Sequence, residues 1–268
     1  MARSTAATGA TLGPVRLVSI PDGMETQEER DTPGKLSEAV LRVLPRKFEE
    51  LIEEIVGEDD EGGIECVVAD QSLGWALDIA TRKGIRTAAF CPASAAQLVV
   101  ALCIPKLIAD GIINEDGIPI GKQRFELAEG VPELSTEDLV WTRLGNETMQ
   151  RHIFQLMLNN TNSTSSAQLI LCNSALDLEL GAFLASPRKL LPIGPLCTSP
   201  SSPSVDSKDN GRAIVARHEI KEKVDKVYGD EGYRSRALEM KGMVRSSVGE
   251  GGMSHENFEY FVDWIKRV

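Results

Sequence analysis

One aspartate stands where a carboxylate could do chemistry. Asp70 follows the apolar run IECVVA (64–69) and precedes SLGWALDIA (72–80), which has helical periodicity. In open α/β sheets ligands collect beyond the carboxyl ends of the strands, so this carboxylate could assist proton transfer there. Asp and Ser also favour helix N-caps, and Asp70 or Ser72 could simply cap the helix that carries Trp75. The residues alone leave both interpretations open.

The histidines offer this carboxylate no evident partner. His152, His218 and His255 all fall in segments with helical periodicity, and a base must come within hydrogen-bond reach of its proton. The five cysteines are scattered, mostly in apolar segments, and are interpreted as free thiols. The acidic run EDDEGG (58–63) fits the spacing of no ligand loop, so we expect no metal site.

The elements that must position Asp70 alternate between strands and helices. Apolar runs indicate strands, and 3.6-residue periodicity indicates helices between them. The predicted strands are 15–20, 64–69, 85–90, 168–173 and 190–194, and the predicted helices include 35–56, 74–84, 94–109 and 146–158. This alternation predicts an α/β fold with a parallel sheet, right-handed crossovers and helices on both faces.

Composition changes sharply near residue 197. Residues 1–196 form the predicted α/β domain, and 197–212 are rich enough in Ser, Pro, Asp and Asn to indicate a linker. Residues 213–268 indicate a helical tail. Its last helix is predicted to start with Ser254 as N-cap. That helix carries an apolar stripe that must dock on another surface, formed by Phe258, Phe261, Val262 and Ile265.

Charge and hydropathy exclude several classes of partner. The 268-residue chain has 40 acidic and 29 basic side chains, a formal net charge of -11, and 42% hydrophobic residues. A strongly acidic protein repels nucleic-acid phosphates and anionic lipid. No segment reaches the ~18 uninterrupted apolar residues of a membrane span, and the first residues do not resemble a secretory signal. We therefore expect a cytoplasmic protein that binds neither nucleic acid nor membrane.

Several motifs, in order, resemble the plant family 1 UDP-glycosyltransferases, and the 83A group in particular. They are VRLVSIPDGM, CVVADQSLGWALDIATRKGIRTAAFCPASAAQL, HIFQLM, LILCNSALDLELGAF, LLPIGPL and the tail that begins HEIKEKVDKVYG. The resemblance implies a GT-B architecture, in which 1–196 would be an incomplete, Rossmann-like, acceptor-binding N-terminal half.

The resemblance also implies a chemistry, which is inverting transfer of a sugar from a UDP-sugar to a hydroxyl of a small acceptor. In the family a histidine deprotonates the acceptor, and an aspartate at the position of Asp70 orients that histidine and balances its charge. Six residues lie where the family builds its acceptor pocket, although ordinary turn and cap roles explain them equally well. They are Pro21, Asp22, Gln71, Ser72, Ala93 and Gln97.

Two departures from the family pattern shape the expected function. In the family, an opening strand, a histidine loop and a second strand come before the segment that resembles VRLVSIPDGM. These elements do not precede VRLVSIPDGM here, so we expect the catalytic histidine to be missing. Between IGPL and HEIKEKV the family has a second Rossmann-like domain with a His-Cys-Gly-Trp-Asn-Ser box, which occurs nowhere in this chain. UDP-sugar, the family's co-substrate, then has no predicted binding residues, and no cofactor is expected.

The missing opening strands also bear on the sheet. Without them, strand 64–69 is either left with unpaired backbone groups or joined by strand 15–20 through helix 35–56. We expect the second arrangement, a continuous but rearranged and weakened sheet.

Three functions remain open from the sequence. The first is a UDP-glycosyltransferase by family, in a truncated and inactive form. The second is a noncatalytic module that binds a small molecule, or pairs with a full-length relative through an exposed sheet edge. The third is an unrelated α/β ligand-binding protein.

Overall fold

The computed structural model describes residues 11–12, 15–26, 35–58, 63–128, 131–143, 146–196 and 230–267. The predicted linker 197–212, the tail residues 213–229 and His218 among them lie outside the described residues. None of the described helices is both long enough and apolar enough to cross a bilayer.

The described elements alternate as the sequence predicts. The strands are β1 (Thr11–Leu12), β2 (Val15–Arg16), β3 (Cys66–Asp70), β4 (Arg86–Cys91), β5 (Arg124–Phe125), β6 (Leu134–Ser135), β7 (Leu169–Cys172) and β8 (Leu191–Pro192). The helices are α1 (Lys35–Arg42), α2 (Leu44–Glu58), α3 (Gly74–Arg82), α4 (Ala95–Leu102), α5 (Ile104–Ala109), α6 (Glu147–Ser166), α7 (Leu180–Ala185), α8 (Glu231–Val248) and α9 (Met253–Lys266). Two prolines mark helix starts, since Pro45 and Pro105 are second residues of α2 and α5.

A four-stranded parallel sheet forms the centre, in the order β3-β4-β7-β8. Its strands are mostly apolar in sequence, and β4 contributes Ala88 and Ala89, both fully buried. Small side chains on a central strand let helices approach both faces, as parallel sheets require. The predicted α/β fold with a parallel sheet and a helical tail is confirmed.

Successive residues of the strands point to opposite faces. On one face Val67 and Ala69 of β3 pack with α3, and Ile170 and Cys172 of β7 belong to the largest core cluster with α4 and α6. That cluster includes Trp141 and Phe154, whose ring centroids are 5.3 Å apart.

The opposite face is covered by the C-terminal helix α9. Phe261, only 8% exposed, packs on Ala88, Leu171 and Leu191 of three neighbouring strands. Asn257 Nδ2 donates to the Pro192 carbonyl at 3.0 Å. The predicted docking of the tail helix is therefore confirmed.

The docking differs from the prediction in its details. Phe258 of the predicted stripe stays 43% exposed, and Trp264, which was not in that stripe, packs against the sheet cluster. The predicted N-cap Ser254 is wrong, because α9 begins at Met253 with Gly252 as its N-cap. Ser254 is buried instead, and its hydroxyl donates to the Gly194 carbonyl at 2.8 Å.

The expected rearrangement of the sheet is also wrong. Only Val15 and Arg16 of the predicted strand 15–20 are β-structure, and they pair antiparallel with β1 rather than parallel with β3. A short hairpin satisfies these backbone groups locally, with no long crossover to close. The segment expected to form the crossover folds as α1 and α2, and α2 packs on α3, where Phe48 meets Trp75 edge to face with ring centroids 5.7 Å apart. Within the described residues β3 is left as an unpaired edge.

Candidate active site at the carboxyl edge of the sheet

Three parallel strands end together at one edge of the sheet. Asp70 closes β3 opposite Phe90 of β4, and Cys91 lies opposite Cys172 where β4 and β7 end. Because parallel strands share their direction, the turns that follow them converge on this edge.

Asp70 has a well-defined environment at this edge. Its Oδ1 accepts hydrogen bonds from the backbone N–H of Ser72 at 2.8 Å and from the Ser72 hydroxyl at 2.7 Å. The carboxylate therefore caps the short 3₁₀ turn Gln71–Leu73, and not α3, whose N-cap is Leu73. Within the described residues, Oδ2 has no hydrogen-bond partner.

The turn that carries Asp70 is fixed from behind by α6. Asn160 donates from Nδ2 to the Ser72 carbonyl at 2.9 Å and accepts at Oδ1 from the Gly74 N–H at 3.1 Å. The contact requires glycine at position 74, where a Cβ would lie 2.9 Å from the Asn160 Cα and 2.8 Å from the Ser163 Cβ. The sequence gives no sign of Asn160, since 86 positions separate it from Gly74.

No described histidine bonds to Asp70. His152 is exposed on α6, and His255 is half-buried near the start of α9. Asp70 hydrogen-bonds only to Ser72 in the part of the chain that the structure describes. Among the described residues, the edge thus presents a carboxylate with one free oxygen and no paired base.

A second carboxylate, which sequence reasoning missed, organises the neighbouring turn. Glu179 accepts from the Ala95 N–H at 2.8 Å, from the Ala96 N–H at 3.1 Å and from the Ser174 hydroxyl at 2.5 Å. A carboxylate at a helix N-terminus satisfies free N–H groups and complements the helix dipole. Glu179 thereby ties the turn after β7 to the start of α4. It lies 84 positions from Ala95, so no local spacing reveals it.

Comparison with known proteins identifies the family of this chain. No protein-family model matches the chain. UDP-glycosyltransferase 83A1 of Arabidopsis thaliana is 51% identical over 184 residues, which make up 68% of this chain and 39% of that relative. UDP-glycosyltransferase 82A1 of the same plant is 27% identical over 179 residues, 65% of this chain and 37% of the relative. The chain belongs to the plant family 1 UDP-glycosyltransferases.

Solved structures of UDP-glycosyltransferases share the fold. A UDP-glucosyltransferase from Polygonum tinctorium matches with a TM-score of 0.50 at 21% identity, over 63% of this chain and 37% of that one. Phytolacca americana UGT2, complexed with UDP-2fluoro-glucose and pterostilbene, matches with a TM-score of 0.50 at 18% identity, over 67% of this chain and 39% of that one. The chain therefore has the GT-B type of α/β fold and spans 37% to 39% of the length of these four relatives.

The structure of this chain places the six residues that were predicted to bind acceptor in different surroundings. Gln71 and Ser72 adjoin Asp70, and Ala93 follows β4 at the same edge. Pro21 and Asp22 lie in the segment 15–26, where Asp22 Oδ1 accepts from the Met24 N–H at 3.0 Å. Gln97 lines a cavity of about 530 Å³, and the other five are not among the residues that line it.

Two cysteines complete the edge. Cys91 and Cys172 are fully buried side by side, and a hydrogen bond from the Cys172 thiol lowers the pKa of Cys91. The same contact, together with burial, raises the pKa of Cys172. This thiol pair sits beneath the turns that carry Ala93 and Glu179, and it fills the base of the site with apolar, uncharged groups.

Proposed function

We propose that this chain is the acceptor-side part of a UDP-glycosyltransferase and is inactive by itself. The reaction of the complete machinery would transfer a sugar from a UDP-sugar to a hydroxyl of a small-molecule acceptor. The observation that carries the proposal is Asp70, which lies at the carboxyl edge of the sheet with one oxygen bound to Ser72 and the other free within the described residues.

Asp70 would act as a positioning carboxylate. Its free oxygen could accept the N–H of an imidazole base, hold that ring in one tautomer and stabilise the imidazolium that forms when the acceptor loses its proton. The two bonds from Ser72 keep the carboxylate in place for that role. Without the imidazole, the carboxylate does not deprotonate a phenol or an alcohol efficiently. The group that acts as the base must itself come within hydrogen-bond reach of the hydroxyl.

Donor binding would need groups of another kind. A nucleotide diphosphate is usually held by backbone N–H groups at a helix N-terminus together with a glycine-rich turn. The family's His-Cys-Gly-Trp-Asn-Ser box does not occur in the 268 residues. The start of α4, which could offer such N–H groups, is already occupied by the Glu179 carboxylate, which repels phosphate. We propose that the chain does not hold UDP.

Radiolabelled UDP-glucose and a panel of flavonoid and simple phenolic acceptors test this proposal. The purified chain should give no more glycoside than its Asp70→Ala variant, while full-length 83A1 serves as the positive control for the assay. Calorimetric titration with UDP should show no saturable heat. Turnover that is lost in Asp70→Ala, or micromolar binding of UDP, would refute the inactive assignment.

A second candidate role is pairing with a full-length relative, and the edge of the sheet favours it. In β3 the side chain of Val68 is 47% exposed, and none of the five residues of this edge strand is a proline, lysine or arginine. Proline and lysine are two of the features that usually prevent strand addition, and this strand has neither. Size-exclusion chromatography of the chain mixed with full-length 83A1 should give a joint peak that Val68→Lys abolishes; separate elution of the unaltered proteins would exclude the pairing.

A further inference from the structure

We infer that the cavity between the loop before β8 and the start of α9 binds a small organic anion with an apolar body. The cavity has a volume of about 400 Å³, which falls within the ~300 to 1,000 Å³ of small-molecule sites. Neither Asp70 nor any of the six residues predicted to bind acceptor is on its wall. Binding here is therefore separate from the proposed sugar transfer and does not depend on it.

The charge of the wall decides the class of ligand. Arg188 and Lys189 line the cavity, and none of the described residues on its wall is an aspartate or a glutamate. The chain as a whole has a formal net charge of -11, so a cavity with two cations and no carboxylate differs from the rest of the molecule. The cavity that Gln97 lines, by contrast, has Asp138 and Glu179 on its wall. An anion is attracted to the first cavity and disfavoured in the second.

The two cations are held differently. The Arg188 guanidinium donates from Nη2 to the Ala167 carbonyl at 3.1 Å. The Ser186 hydroxyl fixes the backbone of the same loop, because it donates to the Arg188 carbonyl at 2.7 Å and accepts from the Arg188 N–H at 3.3 Å. A guanidinium has five N–H donors, so others remain for a ligand. Lys189 is exposed, and within the described residues its ammonium has no partner. The site thus combines one cation that the fold holds with one that can adjust to the ligand.

Apolar side chains form much of the remaining wall. Leu190 is buried, Phe183 packs against the main core cluster, and Met253 of α9 is 47% exposed. An inorganic anion would leave these side chains in contact with water, whereas an organic anion would cover them with its own apolar surface. Such a ligand would contact both the loop before β8 and the start of α9, and would therefore strengthen the docking of the tail on the sheet.

Met253 allows the charge of the wall to be changed without damage to the fold. It is the first residue of α9, and its side chain is half exposed. A glutamate in the first turn of a helix complements the helix dipole. Met253→Glu should therefore fold as well as Met253→Gln, while it places a carboxylate on the cavity wall. Lys189→Gln removes one cation, and Lys241→Gln on α8 is its control, because Lys241 is exposed and does not line the cavity.

The probe is 8-anilino-1-naphthalenesulfonate, an anion whose emission rises in apolar surroundings. N-phenyl-1-naphthylamine is the matched neutral probe, since it has the same aromatic body without the sulfonate. We expect saturable binding of the sulfonate, at least tenfold weaker to Met253→Glu than to Met253→Gln and about fivefold weaker to Lys189→Gln than to Lys241→Gln. The neutral probe should show no such difference within either pair of variants.

Methyl spectra show where the sulfonate binds. In the chain with ¹³C-methyl-labelled methionine, the Met253 signal is assigned by its loss in Met253→Gln, and it should shift saturably as the sulfonate is added. Absence of that shift, or equal sulfonate affinities within either pair of variants, would overturn the inference. Asp70→Ala should bind the sulfonate as the unaltered chain does. Failure of the sugar-transfer proposal would leave these results unchanged, because no UDP-sugar is present.

Discussion

Replacing Arg86 should release the C-terminal helix from the sheet. Arg86 is the first residue of β4, and its guanidinium reaches the end of α9, where it donates to the carbonyls of Trp264 at 2.6 Å, Ile265 at 2.7 Å and Arg267 at 3.1 Å. It also donates to the Glu65 carbonyl at 3.2 Å, and it lies 4.9 Å from the Trp264 ring centroid. One side chain thus satisfies the free carbonyls of a helix end and fixes that end to the sheet.

The size of the effect follows from these contacts. A hydrogen bond to a charged group contributes about 1.5 to 3 kcal/mol, and a partly exposed cation–π contact about 0.5 to 1 kcal/mol. The bonds share one guanidinium and are not additive, so we expect Arg86→Met to lower the free energy of unfolding by about 3 kcal/mol. For a chain of this size that corresponds to a fall in Tm of roughly 6 to 12 °C. Arg86→Lys should recover only part of the loss, because an ammonium cannot reproduce the planar fork.

Urea denaturation followed by tryptophan fluorescence measures this loss, and limited proteolysis shows whether α9 is released first. Arg82→Met is the matched control. Within the described residues its guanidinium has only a long contact of 4.0 Å to Glu49 at the surface, and such pairs contribute less than about 1 kcal/mol. If Arg86→Met and Arg82→Met had equal midpoints and equal cleavage rates, α9 would be held without a contribution from Arg86 and the reasoning would fail.

Three further substitutions probe the candidate site. Gly74→Ala should destabilise the chain by about 2 to 3 kcal/mol, because the new Cβ would overlap Asn160 and Ser163 of α6; an unchanged Tm in differential scanning fluorimetry would contradict this. Glu179→Gln should cost about 1 to 2 kcal/mol in urea denaturation, since a neutral amide caps α4 less well than a carboxylate; equal midpoints would show that the charge is irrelevant. Asp70→Ala should cost only about 1 kcal/mol, as for other caps, and a much larger loss would mean that the carboxylate is chiefly structural.

Local sequence patterns predicted the parts of the fold that depend on local chemistry. The β-branched and apolar runs that became β3, β4 and β7 are recognisable from composition, and alternation with helices implies parallel pairing. The position of Asp70 at a strand end follows from the same patterns. The apolar stripe on the last helix predicted docking, because an apolar side chain such as Phe261 must be buried against another apolar surface. The pattern could not identify that surface, which is the sheet.

Long-range polar contacts could not be predicted. Glu179 reaches the start of α4 across 84 positions, and Arg86 reaches Ile265 across 179. Such pairs carry no periodicity, since their spacing is set by how the layers stack rather than by a helix or strand repeat. The error at residues 15–20 has a related cause, because an apolar alternating run indicates a strand but does not indicate which strand it joins.

The open edge of β3 and the docked tail are linked through the same face of the sheet. α9 buries Ala88 and Leu171 on the inner strands and contacts Cys66 at the start of β3, but Val68 lies beyond the cluster and remains 47% exposed. A strand added next to β3 would therefore extend the sheet without displacing α9. Because a lysine at an edge position disfavours strand addition without removing a core contact, Val68→Lys should leave the Tm within about 2 °C of the unaltered chain and still abolish pairing with a full-length relative. A large fall in Tm would instead mean that Val68 belongs to the core, and the pairing proposal would lose its structural basis.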